Sequence, residues 1–469
     1  MTNYTSIKNN FCLPLWFFYI VILLIHIASS LAQEPQLIPD KQNRREFIIK
    51  IRQLLKDHYI FPDSAAQYGD KLLRTLESGE YDTLQDASTF AKAVTGDLQK
   101  ITNDKHLKFR LIEPSDVGEE KEGSLHHPVR LFRLGQKEHL GFYRLDWLEG
   151  NIGYLDLRRF YSPTVAKEML VNAMNFLSSA NAIIIDLRKN QGGDLDPVFS
   201  SYFLNYPTRL SSIYYREGDF TQETGTIEKI EGQRMTDIPL FLLIGKETFS
   251  AAEAFAYDLK VLKRAILVGD STKGGAHSVD LYKIADRFEI YISTSRFINP
   301  VTKTNWEGSG VIPDILVPAE SALDTVMVLA RKAAKEYGQI KDKDLKETVE
   351  NMQRQLNRAE QLFQTGNDEP ATTVLDSAFQ TGTRANLINE FFVEVLAYDY
   401  LSGPSEKMQM AILKKNIELF PESYNPYLLL AMTYEEQGKE ESAIKYFEKV
   451  LELDPNNSVA IAMLKKLRK

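Results

Sequence analysis

The chain contains 469 residues, of which 43% are hydrophobic and 26% are charged. This composition is typical of a globular protein, and it excludes a disordered, collagen-like or multi-span membrane protein. The 56 basic and 64 acidic residues give a net charge of −8 without a Lys/Arg-rich run, so nucleic acid is not an expected partner.

The first 32 residues have the pattern of a secretory signal peptide. Lys8 precedes an apolar stretch at 13–28, and SLA at 30–32 provides a small-residue cleavage motif. Cleavage after Ala32 predicts export to the periplasm or the cell exterior, with no integral membrane segment left. An uncleaved anchor is the alternative, although the apolar stretch is shorter than the roughly 20 residues of a spanning helix. Cys12 is the sole cysteine, so the mature chain is expected to lack disulfides and a thiol nucleophile.

Residues 33–108 are predicted to form a helical N-terminal lobe. Apolar residues recur at three- and four-residue spacing over 47–55 and again over 72–76. Pro62 and the segment GEYD at 79–82 separate these helices.

Residues 109–320 are predicted to form an α/β core, because short apolar runs alternate there with amphipathic helices. Strand, helix and strand follow one another twice, at 152–157, 165–177 and 182–187, and at 239–244, 250–262 and 265–268. Each set is a βαβ unit, and two successive crossovers indicate a mostly parallel sheet.

Helical periodicity returns after Pro318. Residues 321–350 are predicted to be a helical linker, and 351–469 to be tetratricopeptide-like repeats. The strongest repeat spans 424–457, and a weaker copy spans about 387–421, where Gln409 occupies a position at which a small residue is usual. One repeat cannot bury its own face, so the copies should stack. They would either bind a peptide or protein partner or only cap the core.

Ser250 is the candidate nucleophile for a hydrolase that uses neither metal nor thiol. It follows the buried strand 241–244 and begins an Ala-rich helix. The helix dipole and the small Ala251 would favour an alkoxide and a close substrate. Alternatively, the hydroxyl only caps the helix in a capping box with Glu253. The local pattern is compatible with both roles.

The segment DLRKNQGG at 186–193 follows a second buried strand. Its adjacent glycines either aim backbone N–H groups at a negatively charged oxygen or form an ordinary tight turn. Asp186 and Arg188 are expected to form a structural pair.

Several segments, taken in order, resemble the S41 serine peptidases, the family of C-terminal processing and tricorn-type proteases, in the subgroup that is similar to interphotoreceptor retinoid-binding protein. They are YIFP at 59–62, GEY at 79–81, DKHL at 104–107, DLRKNQGG at 186–193, TFSAAEAF at 248–255, GDSTKGGAH at 269–277 and WEGSGVIPDI at 306–315. The resemblance implies a ClpP/crotonase-like α/β core between the helical lobe and the all-α tetratricopeptide segment. The retinoid-binding namesake uses this fold as a carrier.

The resemblance also implies roles for individual residues. Ser250 matches the nucleophile, and the backbone N–H of Ala251, with that of Gly192 or Gly193, would form the oxyanion hole. In the processing-protease branch the base is a lysine three places after a threonine. Counted from Thr272, that place holds Gly275 in this chain.

In the tricorn-like branch the base is a histidine of the N-terminal part, and a glutamate orients it. His106 matches this histidine and Glu307 matches this glutamate. Such a pair is chemically suited to the task, because an imidazole accepts the serine proton and a carboxylate stabilises the resulting imidazolium. His277 is the alternative base.

The sequence thus predicts an exported serine endopeptidase that hydrolyses peptide or protein substrates through an acyl-enzyme on Ser250. No metal, nucleotide or calcium motif is present, so neither a metal nor a cofactor is expected. One alternative is a non-catalytic binding protein of the same fold that carries a peptide or apolar ligand. In a second alternative, the repeats carry the function of the protein and the α/β core serves only as a scaffold.

Overall fold

The structure, a computed structural model, describes residues 40–112, 126–400 and 406–468, without the side chains of 126–131. The predicted signal peptide at 1–32 lies outside the described residues. Within them, no helix combines the length and apolarity needed to cross a membrane. The chain divides into two compact units, Met1–Lys335 and Glu336–Lys469.

The first unit begins with the helices α1 (Lys41–His58), α2 (Pro62–Glu77) and α3 (Ala87–Thr102). The side chains of Asp40 and Asp86 cap α1 and α3, and Pro62 occupies the first position of α2. α3 ends at Asn103, whose φ of 58° turns the chain toward strand β1 (Lys108–Leu111). The predicted helical lobe is therefore present.

The remaining elements of this unit follow in chain order. They are α4 (His126–Lys137), β2 (Phe142–Leu148), β3 (Ile152–Leu157), α5 (Pro163–Leu177), β4 (Ala182–Asp186), α6 (Pro197–Ser201), β5 (Ser212–Tyr215), β6 (Phe220–Gln222), β7 (Leu240–Ile244), α7 (Ala251–Val261), β8 (Ala265–Gly269), β9 (His277–Ala285), β10 (Phe288–Ile298) and β11 (Ile315–Leu316).

The core sheet has the strand order β11-β8-β7-β4-β3-β2, with β2 antiparallel at its edge and the other pairs parallel. The two predicted βαβ units are β3-α5-β4 and β7-α7-β8. β4 and β7 are buried along their whole length, which explains their unbroken apolar sequences. The predicted α/β core is confirmed.

A second, antiparallel sheet connects the helical lobe to the core. Its central strand β10 pairs with β1, β5 and β9. Phe109 of β1 stacks on Phe288 of β10 with ring centroids 5.2 Å apart, and both belong to the hydrophobic core of α1 to α3. Because β1 directly follows the lobe, this pairing places residues 103–107 beside the core.

The second unit is helical throughout its described residues. Its elements are the C-terminal part of α8 (Ala322–Gln364), followed by α9 (Asp368–Arg384), α10 (Glu390–Asp399), α11 (Glu406–Leu419), α12 (Asn425–Glu436), α13 (Glu440–Leu453) and α14 (Ser458–Leu467). The segment predicted as a helical linker lies almost entirely within α8. The predicted all-α C-terminal segment is confirmed.

The strong repeat at 424–457 corresponds to the helix pair α12 and α13, and the weaker copy to α10 and α11. Ala443 and Phe447 are fully buried in the strong repeat. In the weaker copy, Gln409 is 4% exposed, and its Nε2 has no hydrogen-bond partner among the described residues. The departure from a small residue therefore leaves a buried amide group.

Candidate active site

The carboxyl ends of β4, β7 and β8 meet at one edge of the core sheet, the edge where α/β proteins bind ligands. Gly192 and Gly193 follow β4, and Ser250 follows β7. A Cβ atom added to Gly192 would lie 2.9 Å from Cβ of Ser250 and 3.1 Å from the backbone nitrogen of Ala251. The structure therefore brings the proposed nucleophile together with the proposed oxyanion residues.

Ser250 has a strained backbone conformation. Its φ of 55° and ψ of −120° lie in the left-handed half of conformational space, at a cost of about 1–3 kcal/mol for a residue with a side chain. An ordinary helix N-cap has extended backbone angles instead. Capping alone therefore does not account for this turn, whose geometry is typical of a serine presented between a strand and a helix.

Hydrogen bonds to the Glu253 side chain connect the Ser250 turn with the segment 272–275. Its Oε2 accepts hydrogen bonds from the N–H groups of Ser250 and Gly275, each at 2.8 Å. Its Oε1 accepts from the N–H of Gly274 at 2.6 Å and from the Thr272 hydroxyl. Burial raises the pKa of this fully buried carboxyl, while the four donors oppose the rise. The carboxylate holds two loops in one position.

The three predicted oxyanion donors are not equally available. The N–H of Gly192 donates to Oδ1 of Asn190 at 2.8 Å. The N–H groups of Gly193 and Ala251 have no acceptor within the part of the chain that the structure describes. Ala251 is the first residue of α7, where an N–H has no partner within the helix. Gly193 and Ala251 are therefore free to stabilise a developing negative charge.

His106 lies in the loop between α3 and β1. Its backbone N–H donates to Oδ1 of Asp104 at 2.9 Å. Its imidazole stacks on Phe249, with ring centroids 4.4 Å apart and an interplanar angle of 26°. Burial lowers the pKa of His106 to about 4, although the charge of Asp104 opposes the change. The ring is therefore neutral at neutral pH.

Gly275 leaves open the space that His106 occupies. A Cβ atom at position 275 would lie 2.6 Å from Cε1 of His106 and would also collide with the ring of Phe249. This is the position at which the resemblance to processing proteases implies a lysine. In this chain an imidazole from the N-terminal lobe fills the region into which a side chain at 275 would project.

Asp104, His277 and Glu307 form a buried acid–base cluster. Oδ2 of Asp104 lies 2.7 Å from Nδ1 of His277, and Oε2 of Glu307 lies 3.7 Å from the same nitrogen. Burial lowers the pKa of His277, but the bond to Asp104 outweighs burial and the pKa is raised. Burial raises the pKa of Glu307 to about 7. One carboxylate oxygen of Asp104, one of Glu307 and one ring nitrogen of His277 lie within 4.8 Å of one another, a spacing at which the three residues could bind a metal ion.

Ser250, His106 and Glu307 occupy one region without direct bonds between them. Both ring nitrogens of His106 and Oε1 of Glu307 are buried and have no hydrogen-bond partner among the described residues. Oε2 of Glu307 accepts from the N–H of Ala276. The serine and the imidazole are linked through Phe249, which precedes Ser250 and stacks on His106. Glu307 lies against the alternative base, His277.

A cavity of about 370 Å³ opens beside Ser250. One wall is a face of α7 that includes Ala251, Ala254 and Asp258. Gly193, and Ile213 of β5, also line the cavity. This volume is within the range of small-molecule and side-chain binding sites, roughly 300–1,000 Å³.

The predicted structural pair at the end of β4 is confirmed. Nη2 of Arg188 lies 2.6 Å from Oδ2 of Asp186, and Nη1 donates to the backbone oxygen of Ala319 at 2.6 Å. The Tyr154 hydroxyl also donates to Asp186, at 2.8 Å. These contacts anchor the strand end that precedes the two glycines.

Sequence reasoning missed Glu253 and Asp104 as organising residues. It considered Glu253 only as a capping partner, and the spacing to Ser250 does not reveal that Gly274 and Gly275 also donate to it. Asp104 could have been found, because an aspartate two residues before His106 has the spacing at which its side chain accepts the later N–H.

Three parts of the chain match models of known protein families. Residues 151–317 match the model of peptidase family S41, and 30–138 match the model described as the N-terminal domain of Peptidase_S41 in eukaryotic IRBP. Residues 424–457 match a tetratricopeptide repeat. The chain is thus similar to the S41 peptidases over 151–317, to the N-terminal domain of that family over 30–138, and to a tetratricopeptide repeat over 424–457.

Among curated relatives, the carboxyl-terminal-processing protease of Picosynechococcus sp. is 29% identical over 182 residues, which are 38% of this chain and 42% of that protein. The protein of the same name from Synechocystis sp. is 33% identical over 172 residues, 36% of this chain and 38% of that protein. The chain therefore spans about two fifths of the length of these relatives. A solved structure, the photosystem II D1 C-terminal processing protease, is similar with 16% identity and a TM-score of 0.38, over 59% of this chain and 93% of that one.

Proposed function

We propose that this chain is an exported serine peptidase that hydrolyses peptide bonds through an acyl-enzyme on Ser250. One observation carries the proposal: Ser250 lies on a strained turn and lines a cavity together with Gly193 and Ala251, whose N–H groups have no acceptor among the described residues. The S41 match over 151–317 supports the same chemistry, and the pattern of residues 1–32 supports export.

In the proposed mechanism, neutral His106 removes the hydroxyl proton of Ser250 as the oxygen attacks the carbonyl carbon of the substrate. The N–H groups of Gly193 and Ala251 stabilise the oxygen of the tetrahedral intermediate. The imidazolium then gives its proton to the leaving amine, and the acyl-enzyme forms. Water attacks that ester by the same route and regenerates Ser250. Glu307 stabilises the imidazolium by its negative charge.

This mechanism requires the imidazole of His106 to turn from Phe249 toward the Ser250 hydroxyl when substrate binds. The unpartnered ring nitrogens support such a movement, because no existing hydrogen bond must be broken. Hydrogen bonds between catalytic groups are often long or absent in a free enzyme and form in the substrate complex. Oε1 of Glu307 is also unpartnered and is available to the imidazolium.

His106 suits the role of base better than His277 does. A base must be neutral before it accepts a proton, and burial keeps His106 neutral. His277 is paired with Asp104 and has a raised pKa, so its charged form is favoured. We assign His277 to holding the loop of Asp104 and His106 in place.

The substrate is proposed to be a peptide or protein. The curated relatives are named for processing at the carboxyl terminus, and we extend this substrate class to the present chain. The tetratricopeptide repeat at 424–457 is proposed to bind a protein partner or part of the substrate.

Labelling with a fluorophosphonate probe tests the function. The purified protein should be labelled, Ser250→Ala should abolish labelling, and Ser278→Ala, which changes a serine lining the same cavity, should not. If the unmodified protein resists the probe, or if Ser250→Ala is labelled equally, the chain is not a serine hydrolase. A binding protein that carries a peptide or apolar ligand would then be the better description, since His106 makes no bond to Ser250.

A further inference from the structure

We propose that the cavity beside Ser250 selects substrates by a positively charged side chain, Arg or Lys, and that Asp258 binds this charge. The inference rests on the proposed function and adds to it the class of residue at the cleavage site. It assigns a binding role to a carboxylate that the catalytic mechanism does not use.

The first argument is the position of Asp258 relative to the nucleophile. Ala251, Ala254 and Asp258 follow one another at three- and four-residue spacing, so they share one face of α7. With a rise of 1.5 Å per residue, Asp258 lies about 12 Å along the helix from Ser250. Ala251 and Ala254 have small side chains, so the helix face between Ser250 and Asp258 leaves room for a substrate side chain. A long side chain whose carbonyl group is at Ser250 can therefore extend along α7 toward Asp258.

The second argument is that Asp258 is buried without a cationic partner. It is 6% exposed and accepts from the N–H and Oγ of Ser211, at 3.0 and 2.5 Å, and from Nδ2 of Asn299 at 2.9 Å. These donors are all neutral, and no ion pair to Asp258 occurs within the described residues. Burial accordingly raises the pKa of Asp258. A buried carboxylate is costly unless it is paired, and a substrate cation would supply the missing pair.

The third argument is the composition of the cavity wall. Its apolar members suit the methylene stem of Arg or Lys, and they include Leu210, Ile213, Ala254 and Phe297. Asp194 and Asp196 add negative charge to the same cavity. No lysine or arginine lines it among the residues that the structure describes. A cavity that combines apolar side chains with carboxylates favours a cationic side chain over a purely apolar one.

A peptide library tests this inference directly. Internally quenched peptides that vary only at the residue before the cleaved bond should be hydrolysed with kcat/KM about 10- to 100-fold higher for Arg or Lys than for Leu, the factor for one charged hydrogen bond. Asp258→Asn should remove that preference, so that kcat/KM for the Arg and Lys peptides falls to the value for the Leu peptide in the same variant. The matched control Asp280→Asn changes an exposed carboxylate and should preserve the preference. A preference for Leu or Ala in the unmodified protein would overturn the inference.

A second variant keeps the test decisive if Asp258→Asn does not fold. Ala254→Met fills the channel between Ser250 and Asp258, and it should reduce hydrolysis of Arg peptides more than of Ala peptides. Binding of benzamidine, an aromatic cation, to the Ser250→Ala protein provides a readout without catalysis. Calorimetry should show binding that Ala254→Met abolishes, and absence of binding contradicts the inference. Failure of fluorophosphonate labelling, in contrast, would contradict the proposed function itself.

Discussion

The two sides of the site differ in how their buried polar atoms are satisfied. On the nucleophile side, which comprises residues 250–253 and 272–275, Glu253 accepts four hydrogen bonds. On the base side, which comprises residues 104–106, 277 and 307, both ring nitrogens of His106 and Oε1 of Glu307 lack partners within the described residues. Each unpartnered buried group costs about 1–3 kcal/mol. The buried polar atoms of the nucleophile side are therefore paired, whereas those of the base side are paired only in part.

The difference follows from how the chain supplies the two sides. Ser250 and Glu253 come from one turn at the end of β7, so local geometry positions them. His106 comes from the helical lobe and reaches the site only because β1 pairs with β10.

The largest expected effect is on the nucleophile side, from Glu253→Gln. Each carboxylate oxygen now accepts hydrogen bonds from two donors, and in the variant an NH2 group replaces one of these oxygens. Two buried donors then lose their acceptor, which should reduce the free energy of unfolding by about 4 kcal/mol. Fluorophosphonate labelling should fall as well, because the Ser250 turn loses its tie to residues 272–275. Urea denaturation and labelling rates measure the two effects. Glu247→Gln, at an exposed position in the same loop, is the matched control. Unchanged stability in Glu253→Gln would show that the four hydrogen bonds to Glu253 contribute little to the folded state.

On the base side, His277→Ala should lower the free energy of unfolding by about 3 kcal/mol, because it leaves the buried carboxylate of Asp104 without its charged partner. His58→Ala removes a partly exposed histidine that stacks on Tyr282 and has no ion pair among the described residues, and it should have a smaller effect. Thermal denaturation distinguishes the two variants. Equal stability of both would contradict the structural role of the Asp104–His277 pair.

A smaller effect is expected from Glu307→Gln, and it should depend on pH. Burial raises the pKa of Glu307 from 4.5 to about 7, so the folded protein retains a proton that the unfolded chain releases. The unmodified protein therefore loses stability relative to the variant as the pH rises from 4.5 to 7. The total should be about 2 kcal/mol after allowance for partial solvent exposure. Unfolding free energies measured between pH 4 and pH 8 provide the test. A stability difference that does not change with pH would show that Glu307 titrates normally.

Much of the fold could be predicted from the sequence, because its signals are local. The unbroken apolar runs of β4 and β7 indicated buried parallel strands, and helical periodicity indicated the N-terminal lobe and the C-terminal segment. Ser250 and Gly193 were candidates for the same reason, because each lies in a loop that follows a recognisable buried strand. The oxyanion role of Ala251 came from the family resemblance. The second sheet was not predicted, because the pairing of β1 with β10 joins residues about 180 positions apart.

The base side was predictable only in part. The segment around His106 carried a family resemblance, but no local pattern shows that its ring stacks on Phe249 or that Gly275 provides the space for it. The ion pair of His277 with Asp104 depends on tertiary contact between the lobe and β9. The sequence therefore left His106 and His277 as alternatives. The conformation of Ser250, with its positive φ, was likewise not visible in the sequence.

The rate at which the probe reacts with Ser250 in two histidine variants tests the central claim most directly, namely that a histidine of the N-terminal lobe activates this serine. At neutral pH, His106→Ala should lower the second-order labelling rate by about 100- to 10,000-fold, the usual contribution of a general base. His277→Ala, measured at a temperature where it remains folded, should lower the rate far less than His106→Ala does. A His106→Ala protein that reacts as fast as the unmodified protein, together with a folded His277→Ala protein that does not react, would contradict the account.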